Sequence, residues 1–170
     1  MAKPNWIRTT WHRVSTIFVR KKDKNSKTDQ RPVLKETYVY GQKEGQTLEL
    51  DVYQLADASQ TQARTAVLYF HGGGFSEGSR MEARYVQFAQ KLARLGLVAI
   101  PCAYHLSMRG RSMSCDQQQA VKIAAFRSAA EDVWSATRYV FQHADELGIS
   151  TSQILLAGSS AGAEAVVNAA

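Results

Sequence analysis

Three short apolar runs constrain this chain more than any other feature: "TAVLYF" at Thr65–Phe70, "LVAIPCAY" at Leu97–Tyr104 and "QILLAG" at Gln153–Gly158. The first two run without polar alternation, as a strand buried on both faces requires; such strands belong to parallel sheets covered by helices, and the third reads as the last strand. The segments between them change period accordingly. Met81–Leu95 carries Tyr85, Phe88, Leu92 and Leu95 at helical spacing and is closed by Gly96; Ser128–Leu147 carries Val133, Val140, Ala144 and Leu147 on one stripe and is closed by Gly148. Helix-forming composition resumes at Ala161. Ahead of the first run, "ETYVYGQKEGQTLELDVYQL" alternates apolar and polar residues on either side of a Gly-containing turn, the pattern of an antiparallel strand pair at a sheet edge. Pro101 lacks an N–H to donate, so it must sit at a strand end or a bulge. The order predicts an α/β fold, with antiparallel edge strands followed by a parallel sheet flanked by helices.

The net charge of +6 raises the question of a nucleic-acid partner, and its distribution answers it. Residues 1–35 hold ten Lys/Arg and two Asp, a net of +8, leaving −2 for residues 36–170. The basicity belongs to an arm, the body carries no nucleic-acid motif, and no nucleic-acid partner is expected. Within the arm, Ile7, Trp11, Val14 and Phe18 fall on one face of a helix over residues 5–20, with Arg8, His12, Arg13 and Arg20 around the other. That face would dock on the domain or cap its mouth; contact with an anionic membrane surface is the less favoured alternative. "RKKDKNSKTDQRP" then reads as a solvated linker, so residues 1–35 form an arm and 36–170 the folded portion. No run approaches the ~20 apolar residues of a membrane span, and no signal-peptide pattern precedes the domain, which together suggest a cytoplasmic protein. Cys102 and Cys115 make no disulfide framework, and Cys102 reads as a small buried hydrophobe.

Two of the three runs lead straight into glycines. Gly158-Ser159-Ser160-Ala161-Gly162 places a serine at a strand-to-helix turn with glycine two residues before and two after, where side chains would collide with neighbouring backbone. Such a turn holds the Ser160 hydroxyl above the sheet at a helix N-terminus, where free amides and the helix dipole favour developing negative charge. After "VLYF" come His71 and the consecutive glycines Gly72, Gly73 and Gly74. Neither a dinucleotide-binding nor a Walker pattern is present, so a phosphate-binding loop is disfavoured. Glycines there let a loop turn its amides inward, as an oxyanion hole for acyl transfer needs.

"LYFHGGGF", "AYHL", "AAEDVWSATRYV" and "GSSAG", in this order, resemble the carboxylesterases and lipases of the hormone-sensitive-lipase-like branch of the α/β-hydrolase fold, from about Glu36 to Ala170. The resemblance implies a nucleophile at Ser160, an oxyanion hole from the amides of Gly73, Gly74 and Ala161, and a loop-organising role for His71 with Gly72. It implies neither a metal nor an organic cofactor, and a small-molecule ester as substrate. The chain departs from the family at Tyr104-His105-Leu106-Ser107-Met108-Arg109, where Tyr-Arg-Leu-Ala-Pro-Glu is common, and at Ser159 and Ala163. These departures, with the polar loop Ser107–Gln119, bear on pocket shape.

In this fold the triad runs Ser, then an acid, then His. After Ser160 the chain has Glu164 and no histidine, while His71, His105 and His143 are poor substitutes for a base. The sequence therefore reads as the N-terminal part of a longer serine hydrolase, with the acid and base beyond Ala170. A non-catalytic ligand-binding relative and a serine peptidase of the same fold are the alternatives.

Overall fold

The computed structural model describes residues 31–56, 63–111 and 118–170. The arm helix read at residues 5–20 and Cys115 lie outside them. The elements are β1 (Val33–Lys43), β2 (Gln46–Leu55), β3 (Arg64–Phe70), α1 (Ala83–Arg94), β4 (Val98–Cys102), α2 (Gln118–Gln142), α3 (Ala144–Leu147), β5 (Ile149–Gly158) and α4 (Ala161–Ala169).

Five strands form one sheet in the order β1-β2-β4-β3-β5. β1 and β2 pair antiparallel through a turn in which Glu44 and Gly45 both adopt positive φ, 47° and 80°, as a tight hairpin requires. β2 pairs antiparallel with β4, and β4, β3 and β5 run parallel. β1 already runs at Val33, ahead of the boundary read at Glu36. Pro101 is the second-last residue of β4, where a missing N–H costs the ladder least.

The inner strands β2, β4 and β3 are buried on both faces, and the period-2 alternation of a strand assigns each residue to one of them. Leu50, Val52, Ala66, Leu68, Phe70, Val98, Ile100 and Cys102 point into the larger core with α2, α3 and α4, whereas Tyr53 and Ala99 meet α1 on the other face. Each fully buried Leu, Ile or Phe contributes about 1.5–3 kcal/mol relative to exposure. Burial also pushes the Cys102 thiol pKa far up, so this cysteine behaves as an inert hydrophobe. No helix among the described residues is long and apolar enough to cross a membrane.

Two helices differ from the sequence expectation. α1 buries Tyr85, Ala89 and Ala93, while Phe88 and Leu95 are exposed. The small residues face inward because α1 packs closely over Tyr53 and Ala99. α2 begins at Gln118, ten residues before Ser128, because "AVKIAAF" is itself helix-forming. The helical run then breaks at His143, at φ −106° and ψ 18°, leaving Ala144–Leu147 as a separate turn capped by left-handed Gly148.

The register of β3 against β5 fixes where function can lie. Phe70 pairs with Gly158, so the two strands end side by side and their following loops emerge together at the carboxyl edge of the sheet. Ligands of open α/β sheets bind at that edge.

Candidate active site

At the end of β5 the chain reverses into α4 through Ser160, whose φ of 49° and ψ of −122° lie outside the regions ordinary L-residues favour. Such a conformation costs on the order of 1–3 kcal/mol and persists only where the surroundings impose it. The surroundings are backbone. A Cβ at Gly158 would stand 2.5 Å from Gly162 C, and one at Gly162 would stand 2.2 Å from Phe70 O and 2.6 Å from His71 O. Both positions must be glycine for α4 to start against the end of β3. Ser159 N–H donates to Phe70 O at 3.1 Å, extending the ladder one step past the strand, and Gly162 N–H donates to Ser159 O at 2.9 Å. The turn lifts Ser160 into solvent at the N-cap of α4, with Ala161 as first helical residue. Glu164, one turn on, is exposed.

The glycine loop leaves β3 alongside. Its Gly73 carbonyl accepts from Ser76 N–H and Glu77 N–H, both at 3.0 Å, and from Ser76 Oγ at 3.1 Å, which curls the loop tightly. Gly73 has φ 131°, and a Cβ there would lie 1.9 Å from Glu77 O, so no other residue fits. Gly74 and Phe75 follow at φ 59° and 61°. Phe75 is thus a bulky residue in left-handed conformation, held by edge contacts to Tyr104 and Phe126 with ring centroids 6.2 and 5.1 Å away. Neither the Gly73 nor the Gly74 N–H, nor that of Ala161, takes part in a backbone hydrogen bond among the described residues.

His71 sits under the loop, almost fully buried. Its Nδ1 lies 2.8 Å from Gly72 O, and since a carbonyl only accepts, Nδ1 carries the ring proton. The ring stacks on Tyr104 at 4.6 Å, and the Tyr104 hydroxyl donates to His71 O at 2.9 Å. Burial holds the histidine pKa below its ordinary 6.5, so the ring is neutral at pH 7.

Glycine 72 brings the two loops into contact. A Cβ there would be 3.1 Å from Ser159 O and 3.3 Å from Ser160 Cβ. The serine turn and the glycine loop therefore pack against each other at Gly72, Ser159 and Ser160. The structure thus brings together His71, Gly72, Ser160 and Gly162, and leaves His105 and His143 elsewhere. His105 follows β4, buried, its N–H donating to Asp132 Oδ2 at 2.8 Å. His143 stacks on Tyr139 at the end of α2. A groove of about 560 Å³ lies apart, between the β1–β2 hairpin and α2, lined by Tyr40, Lys43, Asp132, Arg138 and Tyr139; it includes neither Ser160 nor the glycine loop.

Three residues to which the sequence reading gave no role hold this geometry. Tyr104 clamps His71, Asp132 carries the segment after β4, and Tyr85 reaches the site from α1. Tyr85 appeared in sequence only as part of an apolar stripe. Its helical position just after the glycine loop was the available signal.

The BD-FAE family model matches residues 50–169, which contain both loops. The chain belongs to the BD-FAE family. Among curated relatives of this BD-FAE chain, Esterase LipI of Mycobacterium tuberculosis (strain ATCC 25618 / H37Rv) is 30% identical over 96 residues, covering 56% of this chain and 25% of LipI. Ethyl acetate hydrolase of Pseudomonas putida is 26% identical over 120 residues, covering 71% of this chain and 33% of the hydrolase. Among solved structures, native esterase 2 of the planctomycete Thermogutta terrifontis superposes with a TM-score of 0.60 at 31% identity, covering 75% of this chain and 40% of the esterase. The same esterase phosphorylated by paraoxon superposes with a TM-score of 0.61 at 30% identity, covering 75% and 44%. The BD-FAE chain thus spans a quarter to a third of the length of these curated relatives, and its fold is part of the α/β-hydrolase fold of carboxylesterases.

Proposed function

We propose that this chain carries the nucleophile and oxyanion hole of a serine hydrolase acting on small carboxylic esters. The observation that carries the reading is the Ser160 turn. An exposed hydroxyl is held in a strained left-handed backbone at a helix N-terminus, directly beside a glycine loop whose Gly73 and Gly74 N–H groups are unengaged.

In this reading Ser160 Oγ attacks the ester carbonyl, and the former carbonyl oxygen takes negative charge. The N–H groups of Gly73, Gly74 and Ala161 receive it, with the positive end of the α4 dipole behind them. Donors fixed by glycine backbone need no rearrangement when charge develops, and removing one such donor typically costs about 10²–10³ in kcat. The proton of Ser160 passes to a histidine supplied, with its orienting acid, by polypeptide following Ala170. That histidine returns the proton to the leaving alcohol, and water then releases the acyl group from Ser160. His71 is not the base, because its Nδ1–H is engaged by Gly72 O and its ring is buried. The kinship to an ethyl acetate hydrolase and to esterases supports alkyl esters of short acids as substrates.

The test is hydrolysis of p-nitrophenyl acetate and ethyl acetate by the full-length protein and its Ser160→Ala variant. Loss of at least about 10³-fold in kcat with folding unchanged is expected. Unaltered hydrolysis in the variant would refute the assignment.

A further inference from the structure

Backbone contacts bring the glycine loop against the serine turn, but they do not by themselves set the distance between them. Gly72 has no side chain to act as a spacer. The position of its missing Cβ lies 3.1 Å from Ser159 O and 3.3 Å from Ser160 Cβ, tight enough to bar a larger residue yet not a bond. What spans the gap is a phenol. Tyr85, in the first turn of α1 and 5% exposed, accepts a hydrogen bond from Gly72 N–H at 3.1 Å, and its Oη lies 3.2 Å from Ser159 Oγ. One oxygen thus touches the loop two residues before Gly74 and the turn one residue before Ser160.

We propose that Tyr85 is a positioning residue of this site, whose hydroxyl ties the glycine loop to the serine turn and sets the gap between Ser160 and the Gly73 and Gly74 N–H groups. The inference rests on the serine-hydrolase reading above and adds to it a residue from outside both loops.

Three features favour a strut over an incidental contact. The ring is wedged and cannot wander: its centroid lies 5.3 Å from that of Tyr69 and 6.3 Å from that of His71, with the Arg84 guanidinium 4.7 Å from it. The phenol oxygen has the valence the position needs, because it accepts from Gly72 N–H while its own proton, or that of Ser159, completes the second bond. By accepting from Gly72 N–H it also fixes the loop at the residue directly before Gly73. Hydrogen bonds are directional and sites of this kind tolerate little slack, about 1 Å of misplacement costing about 10² in rate.

Tyr85→Phe keeps the ring and its packing and deletes only the oxygen. The effect should appear in the chemical step, since no part of Tyr85 is proposed to touch substrate. In the full-length protein, Tyr85→Phe is expected to lower kcat for p-nitrophenyl acetate about 10- to 100-fold with KM within about twofold of wild type. Ser159→Ala, which cuts the same strut from the other side, should do likewise. The double variant should be no slower than the worse single one, because both remove one bridge. A residue that merely supported folding would give multiplied losses and a lowered melting temperature. Unchanged kcat in Tyr85→Phe, while Ser160→Ala is inactive, would overturn the strut and spare the hydrolase reading. Full activity in Ser160→Ala would overturn both. If Tyr85→Phe does not fold, Ser159→Ala decides alone: unchanged kcat overturns the proposal.

Discussion

Replacing Gly162 by alanine sets two effects against each other. Gly162 is the second residue of α4, and alanine is favoured over glycine in a helix by up to about 1 kcal/mol. Against this, the added Cβ would lie 2.2 Å from Phe70 O and 2.6 Å from both His71 O and Phe70 C, where ordinary contact begins at 3.4 Å. The overlap is about 1 Å and every atom in it is backbone, so no rotamer relieves it and α4 must back away from the end of β3. Overpacking costs about 1–3 kcal/mol and occasionally more. With three backbone atoms involved, the upper end applies, for a net loss of about 2 kcal/mol. For a domain of this size that lowers Tm by about 4–8 °C. Thermal unfolding followed by circular dichroism would measure it, with Gly41→Ala as control: a Cβ there meets only Leu48 Cδ1 at 3.8 Å, and a change within about 0.5 kcal/mol is expected. A Gly162→Ala variant that melts at or above wild type would refute the steric argument and the packing of the turn against β3.

Gly72→Ala should act differently. Its Cβ would press on Ser159 O at 3.1 Å and Ser160 Cβ at 3.3 Å, a strain that tenths of an ångström relieve, so kcat should fall by about 3- to 10-fold while Tm moves little; unchanged kcat would contradict the closeness of the two loops. Asp132 is nearly fully buried beneath His105 N–H and Lys43 Nζ, at 2.8 and 3.1 Å, and burial raises its carboxyl pKa above the ordinary 3.8 despite those partners. A carboxyl whose folded pKa is raised contributes stability that is full below pH 3.8 and lost as pH rises through the folded value. Denaturant unfolding of wild type and Asp132→Asn should therefore show the wild-type advantage shrinking from pH 3.5 to pH 7, and an advantage that grows with pH would contradict it.

Much of this geometry was legible because glycine and continuous apolar runs leave few readings. The strands read at Thr65–Phe70, Leu97–Tyr104 and Gln153–Gly158 stand in the structure as Arg64–Phe70, Val98–Cys102 and Ile149–Gly158; the first two are buried as continuous apolar runs demand, whereas β5, at the edge of the described sheet, leaves Leu155 exposed. The glycines that lead out of β3 and β5 were readable for a related reason: Gly73, Gly158 and Gly162 face backbone closer than any Cβ tolerates. α1 was misjudged on its inner face. A hydrophobic pattern weights size, and Phe88 and Leu95 outscore Ala89 and Ala93, yet a helix lying close over Ala99 needs its small residues inside. Tyr85 was not legible as part of the site. Its partners, Gly72 and Ser159, are 13 and 74 residues away in sequence, and only the pairing of Phe70 with Gly158 brings them to one oxygen.

The claim that Ser160 is the nucleophile is tested most directly by mapping where an organophosphate ester attaches. Incubating the full-length protein with paraoxon, digesting it and sequencing the modified peptide by mass spectrometry should place the phosphoryl adduct on Ser160 and on no other hydroxyl, with loss of ester hydrolysis in step with labelling. An adduct on Ser159 or on a serine outside the turn, or full activity in a protein labelled at Ser160, would contradict the account.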